Sequence, residues 1–196
     1  MKTKQKVLRK IYPLIMRLGK YSRGKSKILI GKQGVTPKVS FYELKATQND
    51  GEVLDFSQLK NKKVLLVNTA SNCGYTGQYE ELQTLQEQFQ DKVVIIGFPA
   101  NDFREQEKSS DTDIAQFCQI NYGVAFTLAK KSSVIKGKEQ NPVYQWLTHS
   151  EKNGWNSHQP DWNFSKYLVD ETGNLTHYFG PSISPLSPEV LNVLQS

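Results

Sequence analysis

Cys73 is the residue whose surroundings best suit nucleophilic chemistry. It follows the apolar run KKVLLV and precedes ELQTLQEQFQ, a segment with the composition of a helix. A cysteine between a buried strand and the start of a helix meets unpaired backbone N–H groups and the positive end of the helix dipole. Both favour the thiolate, which is the nucleophilic form. Gly74 and Gly77 allow tight turns there. The same position also suits a buried structural cysteine, and the turn alone leaves both interpretations open.

The other sulfur and imidazole groups give no pattern for a metal. The chain of 196 residues has only one further cysteine, Cys118, and three scattered histidines. These spacings match no zinc site, so we expect neither a metal nor another cofactor. Two cysteines are also too few for a disulfide-stapled secreted domain. We therefore expect a protein of the reducing cytoplasm.

Alternating strands and helices must position these residues. The apolar patterns predict strands over 39–45, 53–56, 63–69, 93–98, 162–170 and 174–179. The capping residues and helical periods predict helices after Gly77, from Ser110 to Gly123, over 141–149 and from Ser187. The turn Gln-Asn-Asp-Gly predicts a hairpin between the first two strands. This order fits an α/β fold with a central mixed β-sheet flanked by helices.

Charge divides the chain into two parts. Residues 1–42 contain 12 Lys and Arg and no Asp or Glu, whereas residues 43–196 contain 13 Lys and Arg against 19 acids. The basic part also carries apolar residues at helical spacing, which predict an amphipathic helix broken or kinked near Pro13: Val7, Leu8, Ile11, Ile15 and Leu18. Its apolar stretch is too short and too interrupted for a secretion signal.

The basic part has several readings. It can pack on its own domain, remain a solvated tail, or contact an anionic surface. We predict a partly helical N-terminal extension over residues 1–36, with weak contact to an anionic membrane and no nucleic-acid partner.

Three blocks of sequence resemble the signature of the glutathione peroxidase family. They are NTASNCGYT, GFPANDFREQE and DWNFSKYLVD, in the family's order and spacing, and the resemblance runs from about residue 37 to the end. It implies one thioredoxin-like domain over residues 37–196, in agreement with the predicted order of elements. It also implies a peroxidase that protects against oxidative stress by reducing hydrogen peroxide and organic or lipid hydroperoxides.

The resemblance assigns roles to four residues. Cys73 would be the peroxidatic cysteine, and Gln106, Trp162 and Asn163 would be its polar partners. Cys73 and Gln106 each follow a predicted parallel strand, and Trp162 and Asn163 begin a strand that must run antiparallel to reach the same edge. The side chains of the three partners are N–H donors that can stabilise a thiolate and a developing alkoxide without titrating themselves.

Cys118 decides the reductant that the resemblance implies. It is similar to the resolving cysteine of thioredoxin-dependent members, which would condense with the Cys73 sulfenic acid to form a disulfide. Thioredoxin would then reduce the disulfide by thiol exchange. An inert core cysteine is the alternative, because Cys118 lies on the apolar face of a predicted helix. If it is buried, that helix must open locally before the two sulfurs can meet.

This sequence departs from the family pattern at four positions. Ala100 stands where the second block usually has a cysteine, and Asp102 and Arg104 stand in place of Gln and Gly in the usual Asn-Gln-Phe-Gly. Thr127 stands where a Phe-Pro pair usually has its proline. We expect the changes of charge beside Gln106 to affect the preference for substrate or reductant, and Thr127 to affect only the local loop.

Three other functions remain open from the sequence. A glutathione-dependent peroxidase would use the same Cys73, and a peroxide sensor would use the disulfide to signal to a partner protein. A copper-handling protein of the same fold would want Cys-x-x-x-Cys and a histidine, a spacing that this chain lacks. The segment 137–161 looks too short for the assembly insertion of tetrameric relatives, so we expect a monomer.

Overall fold

The computed structural model of the protein describes residues 3–19, 27–32 and 34–196. The strands are β1 (Ile28–Ile30), β2 (Lys45–Thr47), β3 (Val53–Asp55), β4 (Lys63–Thr69), β5 (Val93–Pro99), β6 (Thr127–Leu128), β7 (Lys166–Val169) and β8 (Leu175–Phe179). The helices are α1 (Thr3–Gly19), α2 (Gln78–Gln88), α3 (Asp111–Tyr122), α4 (Pro142–Thr148), α5 (Ser150–Asn153) and α6 (Pro188–Gln195).

Six strands form one mixed sheet in the order β1-β8-β7-β4-β5-β6. β4 runs parallel to β5, which runs parallel to β6, whereas β7 lies antiparallel to β4 on its other side. The carboxyl ends of β4 and β5 and the amino end of β7 therefore meet at one edge of the sheet. This edge carries the candidate site.

Each face of the sheet is covered by its own core. Leu65 and Val67 of β4 point into the core that α2, α3 and α6 complete. Val64 and Leu66, the alternate residues of the same strand, point into the core formed with α4 and two 3₁₀ helices, Phe41–Glu43 and Phe56–Leu59. Every residue of β4 is buried, as its unbroken apolar run predicts for a central strand. The prediction of a central mixed sheet with helices on both faces is confirmed.

Two predicted strands are wrong in their extent. Residues 41–43 form a 3₁₀ helix because the Ser40 side chain accepts a hydrogen bond from the N–H of Tyr42 and caps the turn. Only β2 follows it, and the predicted hairpin with β3 is present. The predicted strand 162–170 begins only at Lys166, so Trp162 and Asn163 lie in the turn before β7.

The basic N-terminal part forms an edge strand of the sheet and a helix. β1 pairs antiparallel with β8, so residues assigned from sequence to the extension form an edge of the main sheet. α1 continues through Pro13 without the break expected there. No helix in the described part of the chain has the length and apolar character needed to cross a bilayer.

Candidate active site

Cys73 lies in the turn between β4 and α2, as predicted. The backbone N–H of Tyr75 points at its Sγ atom across 3.4 Å. The neighbouring N–H, that of Asn72, donates to the backbone carbonyl of Gln106 at 3.1 Å. The turn is therefore fixed to the loop that follows β5, and Cys73 is buried at their junction.

Gln106 and Asn163 form a direct pair. Asn163 Nδ2 donates to Gln106 Oε1 at 2.9 Å, and Asn163 is fully buried while Gln106 is half-buried. Because its oxygen is occupied, Gln106 retains its NH₂ group as the donor for another partner. The Oδ1 atom of Asn163 is buried and accepts no hydrogen bond from any group in the described ranges. The pair thus offers one donor and one acceptor.

The turn that carries Trp162 and Asn163 is held by β4. Asn68, on β4, donates from Nδ2 to the carbonyl of Trp162 at 3.1 Å and accepts from the N–H of Ser165 at 3.1 Å. Phe164 donates its N–H to the Asn68 carbonyl with φ near +67°, in the left-handed region. This non-glycine residue is kept there by the bonds on both sides. Asn68 lies in the first of the three blocks, but an asparagine at the end of a strand gives no sign of this contact in the sequence.

The Trp162 side chain faces the loop after β5. Its ring is half-buried, and its centre lies 5.4 Å from that of Phe103. The guanidinium of Arg104 lies over the same indole, 5.6 Å from the ring centre. The loop that carries Gln106 therefore also packs on Trp162. The structure brings Gln106, Asn163 and Trp162 together at the edge where Cys73 lies.

A buried carboxyl group, that of Glu107, is hydrogen-bonded to the start of the turn that carries Cys73. Glu107 Oε2 accepts from both the N–H and the hydroxyl of Ser71, each at 2.6 Å, and Asn101 accepts the N–H of Glu107 at 2.9 Å. Burial raises the pKa of Glu107, whereas the Ser71 bonds oppose that rise. Glu107 was missed because a glutamate beside Gln106 gives no sign of burial in the sequence.

Cys118 lies in α3, which begins after its capping residue Ser110 and ends at Gly123 in the left-handed conformation. Its thiol is fully buried in the same core as Cys73. Burial raises the pKa of the Cys118 thiol to about 12, and the nearby Glu107 adds to this rise. Both cysteines are free, with no disulfide between them. Cys118 is therefore protonated and inaccessible in this conformation.

The α1 helix packs against the turn that carries Cys73. A Cβ atom added to Gly74 would lie 3.0 Å from Ile15 Cδ1, and one added to Gly77 would lie 2.5 Å from the ring of Tyr12. The Tyr12 hydroxyl also donates to Glu81 on α2 at 2.8 Å. The two glycines therefore serve the close approach of α1 as well as the turn itself. Packing on its own domain was one of the readings that the sequence left open for the basic part, and α1 packs in this way.

The departures from the family pattern fall in different places. Ala100 lies in the core on the opposite face of the sheet from Cys73, so its side chain points away from the reaction. Thr127 starts β6 and pairs with Ile96 of β5, which places it in the sheet rather than in a loop. Only Arg104 lies against a residue of the site.

Within the described ranges, no group of three His, Cys, Asp or Glu side chains is arranged to hold a metal ion. The three histidines lie elsewhere: His158 pairs with Asp161, His149 bonds to the carbonyl of Gln145, and His177 lies on β8.

Comparisons with known proteins identify the family. The family model described as glutathione peroxidase matches residues 41–148. A glutathione peroxidase of Lactococcus lactis subsp. cremoris is 43% identical over 148 residues, which cover 75% of this chain and 93% of that protein. The glutathione peroxidase-like peroxiredoxin 2 of Saccharomyces cerevisiae is 44% identical over 149 residues, which cover 76% of this chain and 91% of the relative.

Solved structures agree on the fold. The crystal structure of T. cruzi GPX1 matches 80% of this chain and 97% of that chain, with a TM-score of 0.60 and 26% identity. A thiol:disulfide interchange protein of the thioredoxin family from Chlorobium tepidum matches 85% of this chain and all of its own, with a TM-score of 0.57 and 12% identity. The second likeness is one of fold alone. The fold is thioredoxin-like, as expected.

The fold and the cysteine turn thus define a thiol-based oxidoreductase. The chain belongs to the glutathione peroxidase family. It is a peroxidase that reduces hydroperoxides and acts in the defence against oxidative stress.

Proposed function

We propose that this peroxidase works with two cysteines, Cys73 as the peroxidatic and Cys118 as the resolving residue. The main support is that the chain's only two cysteines lie in one core layer, with Cys73 in the turn fixed to Gln106. The Cys73 thiolate attacks one oxygen of the hydroperoxide, and the O–O bond breaks. Water or an alcohol leaves after taking up a proton, and Cys73 becomes a sulfenic acid.

The second step joins the two cysteines. The Cys118 sulfur attacks the Cys73 sulfenic acid, a disulfide forms, and the hydroxyl leaves as water. Since the pKa of Cys118 is about 12 in the folded state and its side chain is buried, α3 must open locally before this attack. Exposure returns the thiol to an ordinary pKa and lets the two Cα atoms approach within disulfide range, about 7 Å.

The polar residues act on the first step. The NH₂ group of Gln106 and the indole N–H of Trp162 donate to the sulfur or to the oxygen on which negative charge develops. The unoccupied Oδ1 atom of Asn163 is the acceptor that a hydroperoxide O–H can use. These roles need no proton transfer from the side chains themselves, because none of the three titrates near neutral pH.

Thioredoxin is the reductant that we propose. Its two neighbouring thiols can reduce a protein disulfide by exchange, and thioredoxin is then released with a disulfide between those thiols. A steady-state assay with peroxide, thioredoxin, thioredoxin reductase and NADPH should give sustained turnover. The same assay with glutathione and glutathione reductase should give little. Faster turnover with glutathione would favour a one-cysteine enzyme in which Cys118 is a structural residue.

A peroxide sensor is the second candidate, favoured by the burial of both cysteines, which makes the disulfide costly to form and slow to reduce. A sensor would form a mixed disulfide with one partner protein at negligible turnover. Sustained NADPH consumption at rates proportional to enzyme concentration would exclude it.

The remaining features are proposals of the same kind. We assign the protein to the cytoplasm as a monomer, with the peroxidase domain over residues 37–196. The basic extension before it adds β1 to the edge of the sheet and packs α1 against the cysteine turn. The substrates include hydrogen peroxide and organic or lipid hydroperoxides. Glutathione is the lesser reductant.

Weak contact with an anionic membrane is proposed for α1. The helix docks on the domain through Tyr12, Ile15 and Met16, which pack against the core. Other apolar residues remain between 40 and 61% exposed and recur at spacings of four and three residues, which places them on one stripe: Val7, Ile11, Leu14 and Leu18. The docked helix therefore still exposes an apolar stripe to solvent.

The charge of the N-terminal part complements an anionic lipid surface. Lys10 and Arg17 are exposed beside the apolar stripe, and residues 1–42 hold no acid. Cations near such a surface gain about 1 kcal/mol each. The docked helix would thus bring the active-site edge toward lipid hydroperoxides.

A further inference from the structure

Arg104 places a positive charge against a residue of the peroxide site. It is exposed, yet its guanidinium lies over the Trp162 ring, 5.6 Å from the ring centre. A cation over an indole is attracted by the negative face of the ring, even at an exposed site. The charge is therefore held at the edge of the site rather than extended into solvent.

Two acids beside Arg104 are engaged by other groups. The Asp102 carboxylate accepts from the Ser133 hydroxyl and from the N–H of Val134, each at 2.8 Å. Glu105 forms an ion pair with Lys108 at 2.5 Å. Both carboxylates are thus committed to partners within or beyond the loop.

The third acid of the loop is buried beneath it. Glu107 bonds to Ser71 through one carboxylate oxygen, and its side chain is fully buried. Among the ion pairs of the described residues, none involves Arg104. Its guanidinium therefore keeps its hydrogen-bond donors available for an anion from solution.

The backbone at Arg104 has a conformation that favours glycine. Arg104 and Glu105 both have φ near +52°, a left-handed conformation that is unfavourable for a non-glycine residue. Glycine adopts this conformation without strain, whereas a residue with a Cβ atom does not. The edge of the site therefore carries a guanidinium at a strained backbone position.

We propose that Arg104 binds the carboxylate of an organic hydroperoxide, so that the enzyme prefers anionic hydroperoxides, such as those of fatty acids, over neutral ones. The guanidinium is permanently charged, and its planar fork matches a carboxylate through two parallel hydrogen bonds. The inference rests on the proposed role of Cys73 and Trp162 in the peroxide step. It adds a substrate class to that step and no new chemistry.

The test compares one hydroperoxide with and without its charge. Linoleic acid hydroperoxide and its methyl ester, both in neutral detergent, are mixed with reduced full-length protein, and the rate of Cys73 oxidation is followed by stopped flow. The wild type should react faster with the acid, and added salt should weaken this preference. In Arg104→Gln the ratio of acid to ester rates should fall about tenfold, a loss typical of one charge-assisted hydrogen bond pair. Arg104→Lys should restore part of it.

Lys130→Gln is the matched control, because it removes an exposed cation outside this loop and leaves the ion pair of Glu105 with Lys108 intact. It should leave the acid-to-ester ratio at the wild-type value. An equal loss of rate for acid and ester in Arg104→Gln would assign Arg104 to orienting Trp162 and overturn the inference. A changed KM for thioredoxin with an unchanged ratio would overturn it too, by assigning the charge to the reductant. If the wild type oxidises acid and ester at equal rates, the anionic preference is refuted and the proposed function stands. If no hydroperoxide oxidises Cys73, the proposed function itself is refuted.

Discussion

Asn163 Nδ2 and Gln106 Oε1 are joined by a hydrogen bond of 2.9 Å, which connects the turn before β7 to the loop after β5. The two residues are 57 positions apart in the chain, and each follows or precedes a strand that ends at the same edge of the sheet. The bond fixes the orientation of the Gln106 amide, since its oxygen is committed and its NH₂ group is not. The donor that we assign to the peroxide step is thus oriented by Asn163.

Gln106→Ala and Asn163→Ala should both slow the oxidation of Cys73 by hydrogen peroxide, by on the order of 10²-fold for the loss of a preorganised donor. The double variant should be little slower than either single variant, because the two residues act as one unit. Stopped-flow oxidation rates measure this directly. Gln88→Ala, which removes an exposed glutamine of α2, is the control and should keep the wild-type rate. If the double variant slows oxidation by the product of the two single effects, the two residues act independently and the coupled pair is contradicted.

Cys73→Ser should abolish turnover while preserving the fold, because a serine hydroxyl has no anionic form near neutral pH. The far-UV circular dichroism should match that of the wild type, and peroxide consumption with thioredoxin should fall to background. Appreciable residual turnover would disprove the assignment of Cys73.

Cys118→Ser should consume one equivalent of peroxide and then stop with thioredoxin as the reductant. The sulfenic acid on Cys73 then has no resolving thiol, so a dimedone-type reagent should trap it in this variant more fully than in the wild type. In the wild type, mass spectrometry after peroxide treatment should find a Cys73–Cys118 disulfide. Its absence would leave Cys118 a structural residue and make glutathione the expected reductant.

The sequence predicts best the elements whose signals are local. β4 and β5 carry unbroken apolar runs of the kind that central parallel strands require, and both are present with the predicted bounds to within a residue. α3 lies between Ser110 and Gly123, the predicted ends of the helix, and Gly123 adopts the left-handed conformation. Three residues in β1 are too few to show a period, so this strand could not be recognised.

The site is predictable in its members but less so in its contacts. The blocks place Cys73 and Gln106 after parallel strands, and this topology is confirmed. The pairing of Gln106 with Asn163, the burial of Glu107 and the position of Arg104 over the indole depend on which loops meet in space. No spacing within one segment encodes those contacts.

The exposed stripe of α1 should be needed for binding to anionic vesicles. Leu14→Asp or Leu18→Asp removes an exposed apolar side chain and adds an acid, so cosedimentation with phosphatidylserine vesicles at low salt should be lost. Ile120→Asp makes the same change at an exposed isoleucine of α3, 77% exposed, and should bind as the wild type does. Binding of the wild type should decline as salt is raised. If the wild type, the α1 variant and Ile120→Asp sediment equally, α1 has a structural role only.

A buried lysine should make the stability of the protein depend on pH. Lys166 lies on β7, fully buried, and its Nζ donates to Gln78 Oε1 at 2.9 Å and to the carbonyl of Ile183 at 2.5 Å. Burial lowers the pKa of Lys166 from 10.5 to about 7, although the nearby Glu81 opposes this effect. Between these two values the unfolded chain binds the proton more tightly than the folded protein does.

The free energy of unfolding should therefore rise with pH above about 7, by up to about 1.4 kcal/mol per pH unit from this group. The measurement is urea unfolding of the wild type and of Lys166→Met at several values from pH 7 to about 8.5, below the range in which unfolded cysteines ionise. The wild type should gain stability relative to Lys166→Met across this interval, whatever their difference at pH 7. Lys92→Met, which removes an exposed lysine, should follow the wild-type slope. Parallel curves for the wild type and Lys166→Met would mean that Lys166 keeps its proton throughout, held by Gln78 and Ile183.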